Sequence, residues 1–303
     1  MSDFTPLVSV IMNCLNCEDY LKEAIDSVYS QTYSNWEIVF WDNASTDCSA
    51  EIVRNYDGRL KYYRGEKTVP LGEARNLALE KAQGEIIAFL DCDDYWVPEK
   101  LEKQVPLFKN KEIGLVYSNF YRLNMANGRK SVAFRSSNLP VGNVFRKFLI
   151  KYPLNMQVVM IRKVNDFFDA QLHVSEEYDY FMRILFKKKA DYIHQPLAVY
   201  RYHEKMDSKR KGHLYAEEAD YLLKKYENII PNFRVDYPRE INHMVLKRHY
   251  WHAKTMMQEG SKKKAIEMLK TIPGWPFQKI VLLFLAYLGK NVWLKAHELT
   301  WHY

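Results

Sequence analysis

The chain has 303 residues, 48% hydrophobic and 27% charged, ordinary values for a globular protein with one large α/β domain and a smaller appendage. Its net charge of +7 sits at the back: residues 205–303 hold 18 Lys and Arg against 10 Asp and Glu, and residues 1–204 hold 26 against 27. Such a basic tail suits an anionic membrane surface or a nucleic acid, but no basic motif interleaved with aromatics supports nucleic acid. Met1-Ser2-Asp3 has no basic leader region, and the longest apolar run, Ile280–Leu288, has nine residues, too few for a membrane span. With four cysteines and no leader, the expected setting is a reducing cytosol, with peripheral attachment at the inner membrane face as an added reading.

In chain order, Leu7–Met12 is a short β-branched run that reads as a buried strand. A loop, Asn13–Asn16, precedes an amphipathic helix over Glu18–Gln31. Trp36–Trp41 reads as a second strand, ending in the turn and cap residues Asp42–Asp47. After a short helix from Ser49 comes a third strand at Leu60–Tyr63. A helix opened by Leu71-Gly72-Glu73 is expected to end with Gly84 as its cap. Glu85–Leu90 is a fourth strand, followed by Asp91-Cys92-Asp93-Asp94 and a helix started by Pro98. Strands alternating with helices predict a Rossmann-like, mostly parallel sheet with ligands beyond its carboxyl edge. Three polar clusters follow strands directly, at 13–16, 42–47 and 91–94.

Beyond Phe108 the pattern is mixed. Leu115–Ser118 and Val158–Ile161 read as strands, and Glu177–Lys187 as a helix. Two short strands, Asp191–Ile193 and Leu197–Tyr200, are expected to flank Pro196. From His213 onward nearly everything reads as helix, with a hairpin over Tyr250–Lys270 broken at Gly260. A boundary near residue 210 gives a catalytic domain over 1–210 and a helical region over 211–303.

Carboxylates as close as Asp91, Asp93 and Asp94 repel one another unless a cation sits among them. Oxygen ligands suit Mg²⁺ or Mn²⁺, which also bind diphosphates and act on them as Lewis acids. The competing reading of the cluster is a helix cap with Asp94 as the capping residue. Asp42 suits the base or ribose of a nucleotide, or merely a turn. No Walker lysine and no G-x-G-x-x-G follow a strand, which argues against a P-loop NTPase or dinucleotide dehydrogenase. Cys14-x-x-Cys17 lacks the second pair that a zinc site needs, and Cys48 and Cys92 stand singly.

Taken together, Val8–Ile11, Tyr20-Leu21, Ala24–Val28, Ser30–Tyr33, Trp36–Ile38, Asp42–Asp47, Gly72–Asn76, Gly84–Ile87 and Leu90–Asp94 resemble, in order and spacing, the N-terminal half of family 2 glycosyltransferases. The likeness covers roughly residues 7–105 and continues more weakly through Ser175–Arg183 and Pro196–His203. It implies a GT-A fold, a nucleotide-diphosphate sugar donor (UDP by family frequency) and inversion at the anomeric carbon. By matching position, Asp42 would bind base or ribose, Asp93 would be the principal metal ligand, and Asp91 would contact ribose or metal. Cys92 lies between them on the donor side. Arg75, in the family's A-R-N segment, would reach the nucleotide, and His203 would complete the metal or diphosphate site.

The family's Glu-Asp pair is here Glu176-Glu177, so the implied base is Glu177, with Asp179 second and Glu176 third. The first loop, Asn13-Cys14-Leu15-Asn16, lacks the family's aromatic, which leaves backbone contacts from Asn13 and Leu15 to hold the base. The expected acceptor is a hydroxyl of a saccharide or lipid-linked glycan, in surface polysaccharide assembly. A sugar-phosphate nucleotidyltransferase, or an inactive GT-A binding module, is the competing function. The tail, with Trp275, Ile280–Leu288, Lys290, Trp293, Lys295, His297, Trp301 and Tyr303, suits either an interfacial membrane helix or a helix packed on the domain.

Overall fold

The computed structural model describes residues 4–135, 138–203, 211–274 and 277–300, the last four by backbone alone. Trp275, Trp301, Tyr303 and the side chain of His297 therefore lie outside the described residues. The chain divides into two compact units, Met1–Phe145 with Leu154–Met206, and Arg146–Pro153 with Asp207–Tyr303.

In the first unit, β1 (Val8–Cys14) lies between β2 (Trp36–Asp42) and β4 (Ile86–Phe89), parallel to both, and β3 (Leu60–Arg64) extends β2. Helices α1 (Glu18–Tyr29), α2 (Ser49–Val53) and α3 (Leu71–Lys81) make the crossovers. β1 is buried on both faces, Val8, Val10 and Met12 on one and Ser9 and Ile11 on the other, and Leu21 of α1 is wholly buried as well. Each such aliphatic side chain contributes about 1.5–3 kcal/mol. The register pairs Cys14 with Asp42 and Ile11 with Phe89, so the three polar loops leave the sheet at one edge.

Antiparallel pairing begins beyond β4. A two-residue strand, β5 (Tyr95–Trp96), helix α4 (Lys100–Gln104), β6 (Ile113–Asn124), β7 (Lys130–Val132), β8 (Met160–Arg162), helix α6 (Glu176–Lys187) and β9 (Lys189–Tyr202) complete the series, while helix α5 (Phe145–Ile150), between β7 and β8 in the chain, belongs from Arg146 to the second unit. The sheet order is β3-β2-β1-β4-β8-β6-β9-β5, with β7 on β6. The parallel half carries the polar loops, and β8 joins it antiparallel to the other half.

Two local expectations are corrected. The pieces flanking Pro196 form one strand, β9, whose register against β6 shifts around Asn119, the partner of Pro196. Proline has no N–H for the ladder, and an irregularity there lets the strand continue. Gly84 does not cap α3, which ends at Lys81 with Ala82 extended. A Cβ on Gly84 would lie 2.6 Å from Leu7 O and Ser9 N, so the glycine serves the close approach of this turn to β1.

The second unit is helical: α7 (Tyr215–Ile229), α8 (Phe233–Asp236), α9 (Pro238–Gln258), α10 (Lys262–Lys270), α11 (Phe277–Leu288) and α12 (Lys290–Thr300). Gly260, at φ +80°, makes the turn from α9 into α10. Its core gathers Leu246, Tyr250, Leu269, Leu282 and Trp293, with Tyr250 and Trp293 stacked at 5.8 Å. Buried Lys279 donates to the carbonyls of Lys270, Ile272 and Gly274, a cation placed at the C-terminal end of α10. No helix among the described residues is long and apolar enough to cross a membrane.

Candidate active site

The chain leaves β4 and tightens at once, Asp94 N donating to Asp91 O at 3.1 Å. This turn brings carboxylate oxygens of Asp91, Asp93 and Asp94 within 4.8 Å of one another. Asp91 accepts from Gln157 Nε2 at 2.6 Å and from Arg75 at 3.2 Å. Asp93 meets His203 Nε2 at 3.1 Å, across 110 residues of sequence, and the His203 ring stacks on Tyr20. Burial, then the charge of Asp91, raises the Asp93 carboxyl above its ordinary range, and His203 works against both. Asp94 is buried; its Oδ1 accepts from Arg201 N at 2.7 Å, while Oδ2 has no hydrogen-bond partner among the described residues. Burial first, and Asp93 next, hold its carboxyl well above the usual range.

Three carboxylates, one with an orphaned buried oxygen, beside an imidazole form a donor set for a hard divalent cation that accepts nitrogen. Mn²⁺ fits best on that ground, and Mg²⁺ fits the oxygens. Asp94 is not the cap of the following helix: α4 is preceded by Glu99, and Asp94 faces the backbone of β9.

Helix α6 presents its first turn to the same place. Arg75 is buried and donates to Glu176 Oε1 at 2.8 Å as well as to Asp91. It therefore braces two acids. Glu177 keeps some accessible surface, yet its surroundings are dense. Burial raises its carboxyl to about 8, against the lowering pull of Arg75 and with smaller raising contributions from Glu176 and Asp91. Asp179 is fully buried on the inner face of α6 and accepts from Arg183 Nε at 2.9 Å. Glu176 and Asp179 thus share the buried face, and Glu177 is offset from it toward solvent.

The loops after β1 and β2 lie beside this turn in the sheet. Asp42 is fully buried: Oδ1 accepts from Ser45 N at 2.7 Å, and Oδ2 from Tyr62 Oη at 2.7 Å and from Arg64. These bonds close a turn in which Ala44 sits at φ +65°, a conformation costing about 1–2 kcal/mol for a residue with a Cβ. Asn13 Nδ2 is buried without a hydrogen-bond partner among the described residues. Leu15 is exposed, and its carbonyl accepts from Cys17 Sγ. Cys92 turns away from the acids, donating from Sγ to Asn13 O at 3.3 Å.

Sequence reading missed two bracing residues. Gln157 grips Asp91 at both ends, its Oε1 accepting from Asp91 N at 2.8 Å; it stands in a stretch with no motif to signal it. Arg201 donates to Asp93 O at 2.7 Å, pairs with Glu23 and lies over the Tyr20 and Tyr95 rings. Its place beside Tyr200 and His203 was the available signal.

The family model for Glycosyl transferase family 2 matches residues 9–167. Among curated proteins the chain is similar to UDP-Glc:alpha-D-GlcNAc-diphosphoundecaprenol beta-1,3-glucosyltransferase WfaP of Escherichia coli, 39% identical over 116 residues, 38% of this chain and 46% of that one. The chain spans about half the length of the curated relatives it matches. Among solved structures it is similar to S. aureus TarS 1-349 in complex with UDP-GlcNAc, at TM-score 0.66 and 19% identity over 94% of this chain and 88% of that one. It is also similar to the mannosyltransferase PcManGT from Pyrobaculum calidifontis in complex with GDP-Man and Mn²⁺, at TM-score 0.60 and 17% identity over 94% and 81%. At these identities the structural likeness concerns the fold, a curled mixed α/β sheet with a helical C-terminal region.

Proposed function

The chain belongs to glycosyl transferase family 2, and from that premise we propose that it moves a sugar from a UDP-sugar to a hydroxyl of a saccharide or lipid-linked glycan, with inversion, in surface polysaccharide assembly. The observation that carries this reading is the meeting of Asp93 with His203 at a turn already holding Asp91 and Asp94. Asp91, Asp93 and His203 would hold Mn²⁺ or Mg²⁺, which supplies charge neutralisation for a departing diphosphate. The likeness to proteins whose names carry UDP-Glc and UDP-GlcNAc supports the UDP donor.

The chain's own residues account for the proton. Glu177 takes it from the acceptor hydroxyl as that oxygen bonds to the anomeric carbon, and the bond to the diphosphate breaks with its electron pair leaving on the diphosphate. Arg75 positions Asp91 and Glu176 so that the acid cluster and the first turn of α6 stay in register. Asn13, with its unpartnered amide, and the Asp42 turn form the walls for the nucleoside. Incubation with a panel of nucleotide sugars is expected to give slow release of nucleoside diphosphate from one UDP-sugar, dependent on Mn²⁺ or Mg²⁺. Release from none of them, or release of inorganic diphosphate from a nucleoside triphosphate and a sugar phosphate, would reject the reading.

The second unit supports a membrane-facing acceptor. Along α11, Leu282 and Ala286 point into the core, while Phe277, Ile280, Phe284, Tyr287 and Leu288 stay exposed, Phe277 at 75% and Phe284 at 61%. Exposed Lys290 and Lys295 follow on α12. An apolar stripe next to lysines suits the surface of an anionic bilayer, the inner membrane face if the setting is cytosolic. The wild-type chain is expected to float with vesicles containing anionic lipid. Phe277→Ser with Phe284→Ser should lower bound protein at least tenfold, since each ring contributes about 2 kcal/mol of transfer free energy. Equal flotation of the two proteins would remove the membrane from the account.

A further inference from the structure

We propose that Cys14, Cys17 and Cys92 form a binding site for one soft, thiophilic metal ion of the Zn²⁺ or Cu⁺ class, separate from the hard-cation position at Asp91 and Asp93. All four cysteines are free thiols, and the sulfur atoms of these three lie within 4.8 Å of one another. They come from three places in the fold: the last residue of β1, the residue preceding α1, and the middle of the Asp91–Asp94 turn. Sulfurs bound to one cation at about 2.3 Å stand roughly 4 Å apart, so the cluster needs only a small contraction to close.

The surroundings favour a soft ion over a hard one. Each sulfur contacts a neutral oxygen: Ser45 Oγ lies 3.7 Å from Cys14 Sγ, Leu15 O 3.6 Å from Cys17 Sγ, and Asn13 O 3.3 Å from Cys92 Sγ. Thiolate sulfur selects zinc and copper(I), whereas magnesium and manganese prefer carboxylate and water. Asp93 reaches His203 while Cys92 points to Asn13, so neighbouring residues of one turn face two different centres. An ion on the sulfurs would tie the first loop to the turn that carries the acids. The third sulfur is why the C-x-x-C pair looked incomplete in sequence: its partner lies 75 residues beyond Cys17.

The test uses the reduced, metal-free chain in excess Mg²⁺, titrated with Cd²⁺ as a spectroscopic stand-in for zinc. A sulfur-to-cadmium charge-transfer band in the ultraviolet should saturate at one equivalent, with the intensity of three thiolates. Cys14→Ser should reduce it to background, Cys17→Ser and Cys92→Ala should each lower it, and Cys48→Ser should leave it unchanged. Circular dichroism checks that each variant folds, and any one folded variant of the three decides the matter. Asp93→Ala should keep the band, so failure of the transferase reading leaves this proposal standing, and the reverse. Absence of the band while four thiols react with a thiol reagent, or a band that survives Cys14→Ser and is lost in Cys48→Ser, overturns it.

Discussion

Asp93→Ala is expected to abolish cation-dependent binding of the donor. In the folded chain Asp93 is the acid of the Asp91–Asp94 turn that meets an imidazole, so its removal takes away the carboxylate facing His203. Even outer groups that orient metal ligands change metal affinity by about 10–100-fold, and a ligand itself should cost at least ~100-fold. Calorimetric titration with UDP, with and without Mn²⁺, reads this directly. Manganese should strengthen UDP binding to the wild-type chain and have no effect on the variant. The carboxylates left behind are Asp91, held by Arg75 and Gln157, and Asp94, held by the Arg201 backbone. Neither replaces Asp93 opposite His203. Manganese-strengthened binding in Asp93→Ala would mean that the cation is held elsewhere.

Glu177→Gln is expected to spare donor binding and lose transfer, by about 10²–10⁴-fold, the range for removing a general base. The substitution keeps the shape of the side chain and removes only its capacity to take a proton. The pH dependence follows from the direction of the shift. Burial raises the Glu177 carboxyl to about 8, and only the ionised form can act as a base. Wild-type kcat/KM should therefore rise with pH toward about 8, gaining roughly tenfold per unit on the acid side, and level above it. Cation bound near Asp91 favours the ionised carboxylate and moves that limb to lower pH. The residual activity of Glu177→Gln should lack the limb. Full turnover in the variant would shift the role to Asp179, and after it to Glu176, each of which is buried and bound to an arginine.

Much of the first half was legible because local rules and tertiary demands coincide there. β1, β2 and β4 are buried on both faces, so they read as continuous apolar runs, and each polar loop follows at once. The carboxyl edge of a parallel sheet then placed the loops together without any need for long-range information. Residues that act by bracing were not legible. Gln157 reaches Asp91 from the apolar stretch Met156–Ile161, where no motif marks it, and Arg75 sat in a recognised motif while its partners, Asp91 and Glu176, depended on how α3 and α6 pack. Pro196 and Gly84 misled for opposite reasons. Proline was read as a strand break although an irregular register accommodates it, and glycine as a helix cap although the requirement is space against Ser9. Cys92 was invisible as a neighbour of Cys14 because nothing in spacing links a strand end to a turn three crossovers later.

Sugar transfer by this chain requires one arrangement, a cation and a sugar diphosphate gripped at the edge where β1, β2 and β4 end. Crystals grown with Mn²⁺ and UDP, with anomalous scattering recorded for manganese, test it most directly. The expected map has one manganese peak in contact with Asp93 and His203, the diphosphate on its open side and the uridine between Asn13 and the Asp42 turn. A manganese peak away from Asp93, or uridine density remote from both loops, would contradict it.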